Sequence, residues 1–191
     1  MTRDTLLPEG VSTAFLVILA IHIAGGLTCV ICAAGAAASR KGERFHVGFG
    51  HVYLRALGVV TVTMLVLAMM RWPADNHLAV LGAASATAAW IGLRMARRSA
   101  PLLRGHAWGM ASSVILLLTA FYVDNGPNLP VWKLLPHWAF WVLPALVGIP
   151  LTVIAVHRNR PRLDAHTAER SAAQVTQPMP AADHPGGEVG P

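Results

Sequence analysis

Nine histidines and two cysteines are the side chains of this 191-residue chain best able to ligate a metal, carry a proton or hold a cofactor. His22 stands alone in a long apolar run, at helical spacing from Gly25, Gly26 and Cys29. An ionisable residue so placed is costly without a partner. It reads as a ligand or proton site, or as interhelical glue worth ~1 kcal/mol through a hydroxyl such as Thr61, Thr63 or Ser113. Cys29 and Cys32 have a spacing that suits Cu(I) or zinc, yet one pair falls short of a full ligand set, and buried thiols also pack as small hydrophobes. His46, His51 and His106 form a third group. His51 and Arg55 are four residues apart, as are His106 and Met110, so imidazole, guanidinium and thioether can converge between two helices. Such a cluster suits haem iron, a transition metal (with His46 as a further ligand) or an anionic headgroup.

The elements that must position these residues are membrane helices. The chain is 54% hydrophobic and 13% charged, against about a quarter charged for an average soluble domain. Five stretches reach the ~20 apolar residues that a spanning helix needs: 11–37, 49–70, 77–95, 106–123 and 137–156. Short connections with turn chemistry separate them, including Trp72-Pro-Ala-Asp-Asn76 and Asp124-Asn-Gly-Pro127. The expected fold is therefore all-α, a transmembrane antiparallel bundle of about five helices over residues 11–156. The first run is too long for a signal peptide and reads as a retained anchor.

Fifteen Lys and Arg against nine Asp and Glu would suit nucleic acid on a soluble fold. Here the cations fall between apolar runs, so they read as topology and no nucleic-acid partner is expected. Arg40, Lys41 and Arg44 follow the first span, Arg97, Arg98 and Arg104 the third, and Arg158, Arg160 and Arg162 the fifth. Cationic flanks stay in the cytoplasm, which puts residues 1–10 outside and the carboxyl terminus inside. Trp72, Tyr122, Trp132, Trp138 and Trp141 gather at the outer boundary and Trp108 marks the inner one. Residues 157–191, rich in Pro, Ala, Gly and charge, are expected to form a disordered cytoplasmic tail.

Depth and absence narrow the chemistry. His22 lies about 22 Å from the inner end of its helix whereas His51 lies in the first turn of its own, so the two cannot share one iron and any haem needs His51 with His106. His77 and His137 open their helices at the outer face, where haem would be poorly buried. Small residues line two helices, Gly25, Gly26, Cys29 and Ala33 on the first and Gly82, Ala86 and Ala89 or Trp90 on the third, and read as packing surfaces. No Asp, Glu or Lys lies within a span, which removes the usual carboxylate relay and ion-coupling site. Phosphate-loop, nucleophile-elbow, zinc-protease and dinucleotide fingerprints are missing, so the chain leans away from being an enzyme. Pro144, Gly148 and Pro150 are expected to interrupt the fifth helix.

Several of these stretches are familiar. His22-Ile-Ala-Gly-Gly, Lys41-Gly-Glu-Arg-Phe-His46 leading to Gly50-His51-Val-Tyr, His106-Ala-Trp-Gly-Met110, Thr119-Ala-Phe-Tyr-Val-Asp-Asn-Gly126 and Trp141-Val-Leu-Pro with Gly148-Ile-Pro150 resemble a family of bacterial multi-pass integral membrane proteins, a domain of unknown function. The resemblance covers residues 12–156 and implies a bacterial cytoplasmic membrane. It emphasises His22, His46, His51 and His106 without implying any chemistry.

Three functional readings follow. The first is a non-catalytic binding or accessory component with a His-lined interhelical region, partnered by the lipid bilayer and other membrane proteins. The second is a membrane redox protein holding haem b or a transition metal through His51 and His106, with Met110 nearby. The third is a small-molecule permease centred on His22 and the broken fifth helix.

Overall fold

A computed structural model describes residues 12–98 and 103–175, with side chains over 12–97 and 104–158. Five helices follow one another: α1 (Thr13–Ala38), α2 (Arg44–Met70), α3 (Asn76–Arg98), α4 (Leu103–Asn125) and α5 (His137–Val175), with single 3-10 turns at Gly126–Asn128 and Trp132–Leu134 between the last two. All five are long and apolar enough to cross a membrane. Their outward faces carry Ile23, Leu27, Val62, Val80 and Leu146, each more than half exposed. Helices apolar on every side have lipid as their solvent, and a helix satisfies its own backbone polar groups there. The chain is a multi-pass membrane protein.

Apolarity located the spans but not the helix ends. α2 starts at Arg44 rather than at residue 49, which moves His46 out of the first loop and into the helix. The hydropathy signal ends where hydrocarbon ends, whereas a helix with internal backbone bonds continues through the headgroup level. Gly42, at φ +85°, makes the turn that delivers the chain to Glu43, the residue before α2. α5 is unbroken through Pro144, Gly148 and Pro150, so the expected interruption is absent. Gly148 serves packing instead, since a Cβ there would come within 2.5 Å of Ile115 on α4.

The disordered tail is likewise corrected for its first part, because α5 continues to Val175. A missing apolar periodicity rules out a packed helix, not a helix. Ala, Arg, Glu and Gln are good helix formers that extend an existing helix without a new nucleation cost. The expectations for residues 1–10 and 176–191 lie outside the described residues.

α1 pairs with α2 and α3 with α4 as two antiparallel hairpins, joined through α2 against α3, and α5 packs on α4. Close approach depends on glycine. A Cβ on Gly109 would lie 2.6 Å from the Gly92 Cα, and one on Gly25 would lie 2.9 Å from Val60. The expected stripes hold in part. Gly25, Cys29, Gly82 and Ala89 face neighbours, while Gly26 meets nothing within 4 Å and Trp90 is exposed, with the Arg94 guanidinium 4.6 Å over its ring. Cys29, Cys32, Tyr53, Leu57 and Ala89 make the central core.

Candidate functional site

The end of the bundle formed by the carboxyl ends of α1 and α3 and the amino ends of α2 and α4 carries Arg40, Lys41, Arg44, Arg97 and Arg104, and is called the basic end here. Two histidines meet there. His46, in the first turn of α2, has Nδ1 3.0 Å from the Ala36 carbonyl oxygen of α1. His106, in the first turn of α4, has Nδ1 2.9 Å from the Gly92 carbonyl oxygen of α3. A carbonyl only accepts, so both Nδ1 atoms donate, and in each neutral ring Nε2 is left with its lone pair. Each imidazole thus latches one hairpin, and the two rings meet edge to face across the hairpins, with centres 6.4 Å apart and planes at 82°. Lys41 donates to the Ala36 and Ala37 carbonyls, 3.0 Å each, and lies within electrostatic reach of His106.

The geometry replaces the expected partner of His106. His51 and Arg55 are exposed on the outer face of α2, and no ring contact or hydrogen bond joins His51 to His106 among the described residues. Buried Tyr53 and Leu57 fix which face of α2 looks inward. His46 is two turns before Tyr53 and shares that face, while His51, two residues away, points to the other side. Met110, one turn after His106, packs on the core cluster.

Two turns inward from the imidazole pair lies a buried hydroxyl chain that sequence reasoning missed. Ser85 Oγ donates to the Ser113 carbonyl at 2.8 Å and lies 3.1 Å from Ser113 Oγ, which is 2.7 Å from Tyr53 Oη. With Ser85's hydrogen so placed, Ser113 donates to Ser85 and Tyr53 donates to Ser113, so each hydroxyl hydrogen has an acceptor. The signal was available: Tyr53 is seven residues from His46, and Ser113 seven from His106. The cysteines belong to the core. Cys29 is fully buried with its thiol 3.9 Å from the Tyr53 carbonyl, and Cys32 is 6% exposed.

His22 has the hydroxyl partner that its depth required. Its Nδ1 is 3.0 Å from Thr63 Oγ1, whose own hydrogen goes to the Val59 or Val60 carbonyl at 2.8 and 3.1 Å. Thr63 Oγ1 therefore accepts, Nδ1 donates, and Nε2 is again the bare nitrogen. His22 also lines a cleft at the end opposite the basic one, together with Arg71, Asp75 and Asp124. Asp75 and Asp124 were read from the sequence only as parts of turns. His77 and His137 make no ring contact with each other among the described residues; His77 lies tilted against Trp141 and His137 edge to face with Phe140, 5.9 Å between centres in both cases.

Comparison with protein-family models, with curated proteins and with solved structures finds no match to this chain.

Proposed function

We propose that this is a non-catalytic binding component of the bacterial cytoplasmic membrane, accessory to other membrane proteins, whose ligand seat is the His46–His106 pair and whose ligand is a transition-metal ion, Cu(I) first. The observation that carries the reading is the shared hydrogen-bond pattern. Both Nδ1 atoms are committed to backbone carbonyls, which is how second-shell bonds fix a metal-binding imidazole with Nε2 as the ligand atom. A metal ion bonds each imidazole nitrogen at about 2.0–2.1 Å, so two rings on opposite sides of one ion have centres about 6 Å apart. The 6.4 Å separation is close to that.

The donor set supports Cu(I) over zinc. No group of three or more His, Cys, Asp or Glu converges among the described residues, which falls short of a tetrahedral zinc site. Met110 follows His106 by one turn of α4 and the Met95 sulfur lies against Gly105, the residue before His106, and soft sulfur favours Cu(I). A univalent ion also meets less repulsion from Lys41. The alternation of Lys and Arg supports a cytoplasmic basic end, where thiols and copper are kept reduced.

An anaerobic competition titration of Cu(I) between the nanodisc-embedded protein and a colorimetric chelator tests this. One Cu(I) per chain is expected for the wild type and for His51→Asn, and none for His46→Asn or His106→Asn. A wild type that takes no copper from the chelator, or Asn variants that bind it unchanged, overturns the reading.

A further inference from the structure

At the end opposite the basic one, α1, α2, α3 and α4 line a small open cleft. Phe15 and Met64 belong to its apolar wall, and its polar groups are His22, Arg71, Asp75 and Asp124. The charges do not cancel. Asp75, whose side chain is 14% exposed, is held by Arg71, Nε to Oδ2 at 3.4 Å. Asp124 pairs with no cation among the described residues; its side chain accepts a hydrogen bond from the adjacent Asn125 amide at 3.3 Å. Two carboxylates against one guanidinium leave a net negative charge facing an apolar wall.

Asp124 is not explained by helix stability. It lies in the last turn of α4, where the exposed carbonyl ends of the helix repel a carboxylate and attract a cation. The same carbonyl dipoles add to the negative potential of the cleft. Deeper in, His22 contributes a bare Nε2, because Nδ1 is committed to Thr63. A metal ion does not suit this arrangement, since the carboxylates and the imidazole form no metal-sized cluster among the described residues. A larger cation with an apolar body matches both the charge and the wall.

We propose that this cleft binds a small organic ammonium ion, its charged group against Asp124, its apolar body against Phe15 and Met64, and His22 Nε2 as an acceptor at the base. A carboxylate with no cation partner among the described residues is the contact that favours such a ligand over a neutral one of equal shape. The site does not depend on the imidazole pair at the basic end.

The test is a calorimetric comparison of protonated 2-phenylethylamine with 2-phenylethanol, using protein in nanodiscs of zwitterionic lipid and subtracting empty nanodiscs. The amine is expected to bind about tenfold tighter than the alcohol, the scale of one charge-assisted contact. Asp124→Asn should erase that preference while alcohol binding remains, which shows that the fold is intact, and Asp124→Glu should retain it. Equal binding of amine and alcohol, binding of neither, or an amine preference that survives Asp124→Asn overturns the proposal.

Discussion

An asparagine amide nitrogen occupies about the place of a histidine Nδ1, so Asn at position 46 or 106 keeps the latch to the Ala36 or Gly92 carbonyl and removes Nε2. His46→Asn and His106→Asn are therefore expected to lose metal while their thermal melting stays close to that of the wild type. His46→Ala and His106→Ala should lose both metal and stability, by about 1 kcal/mol each for the missing latch. Because an imidazole must be deprotonated to bind metal, copper affinity should fall as pH falls. The His22–Thr63 bond is open to a double-mutant cycle in detergent unfolding, with a coupling of about 0.6 kcal/mol, the average for such bonds in a bilayer. A coupling near zero would remove the glue role. This bond was legible in the sequence because a polar group at that depth needs a partner and few hydroxyls share its level. The partner of His106 was not legible to the same degree. Placing the start of α2 by apolarity left His46 in a loop, and His51 became the nearest imidazole by default.

At the scale of helices, glycine decides how closely the latching elements approach. Gly109 meets the Gly92 backbone, and this contact sets α4 against α3 at the level where His106 reaches the Gly92 carbonyl. Gly109→Ala should destabilise by about 1–3 kcal/mol through overpacking and weaken copper binding by tilting the His106 latch. Gly26→Ala, with nothing within 4 Å of the added carbon, should be neutral or stabilising by up to about 1 kcal/mol. Thermal unfolding in detergent distinguishes the two. The sequence marked Gly26 but not Gly109 as a helix-contact candidate, because which glycine touches a helix depends on rotation about the axis, and a helix apolar on all sides carries little pattern to set that rotation. Proline was misleading for a related reason. Pro144 and Pro150 each remove one backbone bond, yet α5 remains helical through both. In a bilayer the alternative to a helix is unpaired backbone in hydrocarbon, which costs more.

At the scale of the whole molecule, the number of spans, their antiparallel order and their division by basic and neutral ends were all legible, since lipid imposes length and apolarity on each span separately. The two polar seats were not, because each is assembled from several helices: the imidazole pair from α2 and α4 with latches to α1 and α3, the cleft from α1 to α4. The proposed orientation rests on the positions of Lys and Arg alone. A fluorescent-protein fusion at the carboxyl terminus should be bright and an alkaline phosphatase fusion there inactive; the reverse would place the basic end outside and remove the argument for a reduced ion. The most direct test of a shared imidazole seat is the nitrogen NMR spectrum of histidine-labelled protein in nanodiscs, before and after one equivalent of Cu(I). The expected result is Nδ1–H tautomers for His46 and His106 and a joint shift of their two Nε2 signals on adding copper, with His51 unmoved. Protons on Nε2 in the free protein, or Nε2 signals that stay in place while copper binds elsewhere, would contradict it.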